Sequence, residues 1–431
     1  MKGPGELDLS EVLAERVDWR YKSFPVEALT PAIGDIAGRG WNALDGDFDL
    51  PVLALKEQAL DHNIQLMAAY CRENAVELAP HAKTPVAPQI VQRQLAAGAW
   101  GISVANLHQA RLFRRFGSRR ILMANELLGE SALAWVAREL DSDPEFEFAC
   151  LVDSELGVRL MDTALDRANA SRKLDVLIEL GVPGGRCGCR TIGEAVSVGR
   201  AAAASKHLAV AGVETYEAMI AGELDARLGG IDALMADVRK LAGALDDAGL
   251  LAPERELLVT AGGSLFFDRV VAGLASGWSK ARKVRVILRS GAYVTHDGDE
   301  YEELSPLAGR SKGGPRLRQA LELWAHVLSR PEPELVVLGF GKRDVAHDRG
   351  LPTPFAIRKG DRNEALGSAD LAVYALNDQH ARARVRAELA LGPGDRVGFH
   401  VSHPCTTFDN WRLVPLVDDE YAVTGAVRCY L

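Results

Sequence analysis

Three side chains that could hold a carbonyl compound or an anion each follow a short apolar run of the sequence. Lys83 lies in Pro80–Thr84, directly after such a run, a position where removal of water can make an amine nucleophilic. Arg186 is flanked by glycines, which allow a ligand to come close to a fixed cation. Tyr216 places a phenol after a third run. Each residue alone is also consistent with a solvated lysine, an ordinary loop or a packed tyrosine.

Two turns of small residues follow later apolar runs. The first is Thr260–Ser264, ahead of a helix-like segment, and the second is Arg289–Tyr293. Backbone amides without side chains, a hydroxyl and the positive end of a helix dipole favour a phosphate group. The residues that the two turns contribute to this predicted phosphate site are Gly262, Gly263, Ser264, Gly291 and Tyr293.

The elements that must position these residues alternate regularly along the chain. Apolar or β-branched runs are separated by longer segments of helical spacing, a pattern that indicates βαβ units and a parallel sheet. Eight such runs within about 250 residues match an α/β fold of the (β/α)₈ TIM barrel type, with an open doubly wound sheet as the alternative. The predicted strands are Ala75–Ala79, Ala99–Val104, Arg120–Met123, Glu147–Val152, Leu174–Glu179, Leu208–Val213, Glu256–Thr260 and Val284–Leu288. The predicted helices include Ser131–Leu140, Glu155–Asn169, Ile192–Ala204 and Ala218–Ala248.

The character of the chain changes after Tyr293. Short strands separated by Pro/Gly turns predict a second, mostly antiparallel β domain. Only Pro315–Ser329 has helical spacing there. We therefore predict a barrel over residues 47–293 and a β domain formed by residues 1–46 and 294–431, with a strand contributed by the N-terminal segment. The predicted strands of this domain are Glu334–Gly339, Leu371–Leu376, Arg396–Val401 and Ala422–Tyr430.

The placement of the reactive residues supports the barrel. Active sites of barrel enzymes lie at the carboxyl ends of the strands, and their phosphate sites are formed by the loops after strands 7 and 8. A lysine, an arginine and a phosphate site on one rim are suited to a phosphorylated carbonyl cofactor held as a Schiff base. Pyridoxal 5'-phosphate (PLP) meets that description. A Schiff-base aldolase acting on a sugar phosphate meets it as well.

Composition excludes other classes of function. The chain has 431 residues with 50 basic and 59 acidic side chains, and its net charge of −9 argues against nucleic-acid binding. The absence of a long apolar run and of an apolar segment near the N-terminus predicts a cytoplasmic protein without a membrane span. Irregular spacing makes most of the six cysteines candidates for small buried side chains. Cys405 differs, because it lies two residues after His403.

Four segments resemble the D-serine dehydratase and D-threonine aldolase family, whose barrel is like that of alanine racemase, a fold type III PLP enzyme. They are Pro51–Thr84, Leu177–Gly188, Thr260–Phe266 and Arg289–Tyr293. The resemblance implies that Lys83 binds PLP and that Arg186 lies beside its ring or its phenolic oxygen. It assigns the phosphate to Gly262, Gly263, Ser264, Gly291 and Tyr293. It also implies that Tyr216 lines the active site and that Arg289 contacts the pyridine nitrogen.

Ser402–Phe408 resembles the metal site of that family. Its dehydratases use His-x-Cys with zinc, and its aldolases use His-x-Asp with a harder ion such as manganese. His403 and Cys405 therefore imply zinc, because a thiolate and an imidazole favour zinc over magnesium or manganese. We expect His400 to be a strand residue on another face and His380 to lie near the site. Glu217-Ala218 stands where family members commonly have Gly-His, and Gly339 stands where an Asp is usual.

The resemblance implies a homodimeric D-serine dehydratase that eliminates water from a D-β-hydroxy amino acid and releases an oxo acid and ammonia. Retro-aldol cleavage to glycine and an aldehyde is the main alternative. Racemisation is a third possibility, disfavoured because it needs no metal at the β-carbon. A PLP-binding protein without catalysis is a fourth, and a structural barrel without a cofactor is the simplest alternative.

Overall fold

The computed structural model describes residues 6–26, 30–252, 254–279, 282–296, 298, 300–360 and 362–430. The chain forms two compact units that interleave along the sequence. The first contains Ala68–Lys83 and Gln94–Gly291 with a short N-terminal piece. The second contains Asp8–Met67, Thr84–Arg93 and Ala292–Leu431.

The strands of the described chain fall into two sheets. In chain order they are β1 (Val52–Lys56), β2 (Glu77–Leu78), β3 (Ile102–Val104), β4 (Arg120–Glu126), β5 (Glu147–Val152), β6 (Leu174–Glu179), β7 (Leu208–Glu214), β8 (Leu257–Ala261), β9 (Val284–Leu288), β10 (Leu321–Glu332), β11 (Leu335–Leu338), β12 (Thr353–Lys359), β13 (Arg362–Ala365), β14 (Leu371–Leu376), β15 (Ala381–Val385), β16 (Arg396–His400), β17 (Leu413–Val417) and β18 (Val423–Arg428).

The helices come mainly between the strands of the first sheet. They are α1 (Ser10–Ala14), α2 (Glu57–Glu73), α3 (Pro88–Ala96), α4 (Leu107–Arg115), α5 (Glu130–Ser142), α6 (Glu155–Arg167), α7 (Ile192–Ala204), α8 (Leu224–Asp247), α9 (Phe267–Leu274), α10 (Glu300–Leu304) and α11 (Pro404–Phe408). Side-chain caps begin several of them. Thr191 and Glu194 form a capping box at α7, since each side chain bonds the backbone N–H of the other.

The first unit is the predicted (β/α)₈ barrel. Its eight strands are all parallel, in the order β2-β9-β8-β7-β6-β5-β4-β3. A parallel bridge between His81 and Ser103 joins the two ends of this series. Apolar side chains from five strands pack together in its core, namely Leu122, Ala149, Leu151, Leu177, Ala211 and Leu258. The open doubly wound alternative is thereby excluded.

The second unit contains a mostly antiparallel sheet of ten strands. Its main order is β13-β12-β16-β10-β1-β17-β18, and β11, β15 and β14 extend it from β10. Among the described strands of this sheet, only β1 and β17 pair in parallel. The residues of β1 lie within the predicted barrel range 47–293, although the strand pairs in this second sheet.

Two predictions for this unit require correction. The helical spacing of Pro315–Ser329 is misleading, because Leu321–Glu332 forms β10, which is paired on both sides by β1 and β16. Pairing with distant strands overrides local helical preference here. The N-terminal segment adds no strand among its described residues and contributes single bridges, such as Asn42 with Ala422. Among the described helices, none combines the length and apolarity needed to cross a lipid bilayer.

Candidate active site

The carboxyl ends of the barrel strands bring together most of the predicted cofactor residues. Lys83 follows β2, Tyr216 follows β7, and the two small-residue turns follow β8 and β9. Because all eight strands are parallel, these ends meet on one face of the barrel. The same face carries glutamates that the sequence did not single out, at the ends of three strands: Glu126, Glu179 and Glu214.

The pKa of His81 is affected by the positive charges around the predicted lysine. Burial is the main factor that holds the pKa of this imidazole well below its ordinary value, and the positive charges of Lys83, Arg289 and Arg186 lower it further. The ring is therefore neutral at physiological pH. The charges of Lys83, Arg289 and Arg186 thus all act on the same imidazole.

Arg289 is fixed by a buried ion pair. Its Nη2 donates to Glu214 Oε1 and to the carbonyl of Thr215 at 3.1 Å, and its Nη1 donates to Thr260 Oγ1 at 2.9 Å. The side chains of Arg289 and Glu214 are 5% and 2% exposed, so neither charge is solvated by water. The sequence analysis missed this partner, although a glutamate at the end of an otherwise apolar strand could have indicated it.

A second carboxyl group on this face holds a proton. Burial raises the pKa of Glu179 to about 10, and the charges of Glu214 and Glu126 and a hydrogen bond with Glu126 contribute. The pKa of Glu214 is also raised by burial, although Arg289 opposes this. We therefore expect Glu179 to be neutral at physiological pH, mainly because burial penalises the charged form.

Arg186 lies in a loop that is held by a neighbouring arginine. Its guanidinium carbon is 4.6 Å from the ring centre of Tyr216, within range of a cation–π contact. Arg190 Nη1 donates to the carbonyls of Cys187 at 2.9 Å and Gly188 at 2.6 Å. The structure thus brings Arg186 and Tyr216 together as a pair.

The Gly262–Gly263 turn has an acceptor that the sequence did not reveal. Gly262 N–H donates to Glu217 Oε2 at 2.9 Å, and Gly263 N–H donates to Glu217 Oε1 at 2.7 Å. Gly262 has a φ of +91°, and a Cβ there would lie 2.6 Å from Leu288 Cδ2, so glycine is required. Helix α9 begins only at Phe267, so these amides belong to a turn and not to the first turn of a helix.

Two other predicted residues of the barrel offer donors for a phosphate. Within the described residues, the backbone N–H groups of Ser264 and Gly291 have no acceptor in the protein, although both residues are buried. A buried N–H group without a partner is costly, so such donors point to a missing acceptor. A Cβ on Gly291 would lie 2.6 Å from the His81 carbonyl oxygen, so this turn needs glycine. These donors fit the phosphate of the expected cofactor.

Tyr293 belongs to the second unit. It follows Gly291 in a single 3₁₀ turn, Ala292–Val294, and is 1% exposed.

The predicted metal motif also lies in the second unit, at the start of α11. His403 Nδ1 is 2.7 Å from Asp348 Oδ2, and Thr406 Oγ1 donates to the other oxygen of Asp348 at 3.1 Å. A carboxylate on one imidazole nitrogen is typical of metal-binding histidines, because it fixes the tautomer and directs the other nitrogen to the ion. The sequence did not assign this function to Asp348.

Cys405 Sγ is in hydrogen-bond contact with Thr84 Oγ1, which also belongs to the second unit and follows Lys83 in the sequence. Imidazole and thiolate donors fit zinc.

His400 is the last residue of β16, and its ring stacks on Phe355 at 4.3 Å. Burial lowers its pKa to about 4. His380 is exposed in the turn between β14 and β15.

One group of three potential metal ligands occurs among the described residues, and it lies in the barrel. The ligand atoms of Glu126, Asp153 and Cys187 are all within 4.8 Å of one another. Asp153 Oδ2 already accepts the N–H of Gly188 at 3.0 Å. Burial raises the pKa of the Cys187 thiol to about 11, assisted by Glu126, so the thiol is protonated at physiological pH.

Comparisons with known proteins agree with this arrangement. Residues 55–270, half of the chain, match the model of the alanine racemase N-terminal domain. Residues 320–417, which include the metal motif, match the model of a serine dehydratase domain.

Individual relatives cover most of the chain. It is 28% identical to a D-threonine aldolase of Arthrobacter sp. over 341 residues, 78% of this chain and 80% of the relative. It is 26% identical to a 3-hydroxy-D-aspartate aldolase of Paracoccus denitrificans (strain Pd 1222) over 371 residues, 85% of this chain and 88% of the relative. The crystal structure of D-threonine aldolase from Filomicrobium marinum superposes with a TM-score of 0.72 at 26% identity, covering 89% of this chain and 95% of that one. The chain therefore belongs to the alanine racemase N-terminal domain family and, within it, is similar to the D-serine dehydratase and D-threonine aldolase group.

Proposed function

We propose that this protein is a PLP-dependent lyase of D-β-hydroxy amino acids that eliminates water with the help of zinc, as a D-serine dehydratase does. The single observation that carries the proposal is the contact of His403 Nδ1 with Asp348, next to a cysteine two residues on. A racemase needs no metal at the β-carbon, whereas a lyase that must activate a hydroxyl group does.

Residues of the barrel are proposed to hold the cofactor. Lys83 Nζ is the proposed point of attachment, and the N–H groups of Ser264 and Gly291 are proposed donors to the phosphate. When bound, PLP stabilises negative charge at the substrate Cα. Lys83 Nζ would then accept the proton that leaves the substrate Cα.

The surrounding charges favour this function of the lysine. His81 is neutral because burial and three cations lower its pKa, so it adds no positive charge next to Lys83. Arg289 is held by Glu214 and Thr260 and cannot turn away. The family resemblance assigns Arg289 to the pyridine nitrogen and Arg186 to the side of the ring.

The metal motif is proposed to activate the leaving group, which is the β-hydroxyl group of the substrate. We propose that His403 Nε2 and Cys405 Sγ would hold zinc, and a zinc ion held there would supply Lewis-acid chemistry for the β-hydroxyl group. Two protein ligands leave coordination positions open, as a catalytic zinc requires. The match of residues 320–417 to a serine dehydratase domain supports elimination as the reaction.

Aldol cleavage is the second candidate. The relatives with 28% and 26% identity are both named as aldolases, one for D-threonine and one for 3-hydroxy-D-aspartate. In this case the metal would assist removal of the hydroxyl proton, and the products would be glycine and an aldehyde or an oxo acid.

The test separates the reactions by their products. Purified protein loaded with PLP is incubated with D-serine, D-threonine and 3-hydroxy-D-aspartate, with zinc or manganese in parallel, and with the L-isomers as controls. Ammonia and an oxo acid without glycine support elimination, and glycine supports the aldolase. Formation of the L-isomer alone identifies a racemase, and no turnover and no bound metal identify a non-catalytic PLP-binding protein.

Two matched variants tie the result to the site. H403A removes the proposed metal ligand, and H108A removes an exposed histidine of α4. We expect H403A to lose the metal-dependent reaction and H108A to retain it. We also propose a homodimer on the family resemblance, and sedimentation of the wild-type protein tests this.

A further inference from the structure

The Gly262–Gly263 turn is saturated by the protein's own groups. Both N–H groups are taken by the two carboxylate oxygens of Glu217, at 2.9 and 2.7 Å. Gly262 C=O accepts Arg289 N–H at 3.0 Å. The hydroxyl of Ser290 lies 3.1 Å from the carbonyl oxygens of both glycines. All four polar backbone groups of the turn therefore have partners.

Glu217 cannot easily give up this position. Its side chain is 0% exposed, so a carboxylate that left the two amides would remain buried without its donors. Hydrogen bonds to a charged group are strong, and an unpaired buried charge is costly. An incoming phosphate would also be repelled by the carboxylate it had to displace. The contact is therefore expected to persist when a phosphate binds.

The free donors lie on the two residues that border this assembly. Ser264 directly follows the turn, and Gly291 directly follows Ser290, which bonds the turn from the other side. Within the described chain, their N–H groups have no protein acceptor. We infer that Glu217 is a positioning residue, which locks the Gly262–Gly263 turn so that the N–H groups of Ser264 and Gly291 receive the phosphate of the cofactor.

This inference rests on the proposed function only in that the phosphate is that of PLP. Of the residues that the sequence predicted for the phosphate, it retains the N–H groups of Ser264 and Gly291 and removes those of Gly262 and Gly263, which bond Glu217. It also gives a function to Glu217, which differs from the residue common in the resembling family.

The test compares PLP with pyridoxal, which lacks the phosphate, as ligands of the apo-protein. Binding is followed by the absorbance of the lysine-bound ligand, without any turnover. E217A removes both acceptors, and E217Q retains the shape of the side chain but can accept only one N–H group. E223Q, at an exposed glutamate near the start of α8, is the matched control.

We expect E217A to weaken PLP binding by roughly tenfold or more, and E217Q by less, because charge-assisted hydrogen bonds that order the turn are lost. Pyridoxal binding should change little in either variant, and E223Q should behave as wild type. Unchanged or tighter PLP binding by E217A would overturn the inference, and tighter binding would mean that Glu217 competes with the phosphate.

Two further measurements keep the test decisive. If E217A does not fold, E217Q alone decides by the ratio of PLP to pyridoxal affinity. If the wild-type protein binds no PLP, the proposed function fails, and stabilisation of the apo-protein by inorganic phosphate decides the inference separately. At the same phosphate concentration, the melting temperature of wild type should then rise by more than that of E217Q. An equal increase in the melting temperatures of both proteins would overturn the inference that Glu217 positions the turn.

Discussion

His403 Nδ1 lies 2.7 Å from Asp348 Oδ2, and the second oxygen of that carboxylate is held by Thr406. The aspartate and the histidine are separated by 55 residues, so the fold creates the pair. A carboxylate on Nδ1 keeps the proton there and leaves Nε2 as a lone-pair donor. This relationship is the basis of the first prediction.

Asp348→Asn should weaken metal binding without removing a ligand. An asparagine can present its NH₂ group to Nδ1 and favour the wrong tautomer, and loss of such a partner typically costs about 10- to 100-fold in metal affinity. Zinc titration of the chelated protein measures the effect. D378N, at a carboxylate that is 72% exposed, should leave the zinc affinity unchanged. Equal affinities for wild type and D348N would mean that Asp348 does not orient a ligand.

Cys405→Asp should change the metal preference from zinc towards manganese. A carboxylate is a harder ligand than a thiolate and suits manganese or magnesium better. Activity of the chelated protein, restored by each ion in turn, gives the ratio of zinc to manganese activity. C405S serves as the control because it removes the thiolate without adding a carboxylate. If C405D and C405S both prefer the same ion as wild type, Cys405 is not a metal ligand.

Lys83→Ala should abolish the absorbance of lysine-bound PLP, because no other amine on this face is proposed to bind it. K206A is the matched control, since Lys206 is 77% exposed. It should retain the full absorbance. A spectrum of K83A identical to that of wild type would contradict the assignment of the cofactor to this lysine.

The barrel could be predicted from the sequence because its strands and helices are defined by local patterns. Helix α7 covers the predicted range, and its start is defined locally because Thr191 and Glu194, three positions apart, form a capping box there. Strand β10 could not be found in this way. Its partners β1 and β16 lie far away in the sequence, and the pairing decides its conformation.

The residues of the candidate site also fall into two groups, those that the sequence indicated and those that it did not. Lys83 and Arg186 follow strands and were recognisable by position. Glu217 and Asp348 were not, because their partners lie 45 or more residues away and nothing in their own neighbourhood indicates the contact. Sequence motifs thus indicated the groups that are proposed to touch the cofactor and the metal. They did not reveal the acidic side chains that hold those groups in place.

The buried carboxyl group of Glu179 should make the stability of the fold depend on pH. Its pKa rises from 4.5 to about 10 because of burial and the nearby Glu214 and Glu126. Between these values the unfolded chain has lost the proton and the folded chain retains it, so the stability of the fold falls as pH rises. Glu179→Gln cannot ionise. The unfolding free energy of E179Q relative to wild type should therefore increase from about pH 5 to about pH 9, by at most about 1.4 kcal/mol per pH unit. Urea unfolding measures it, and E145Q, at a 67% exposed glutamate, should show no such trend. A difference that is constant with pH would mean that Glu179 is ionised in the folded protein.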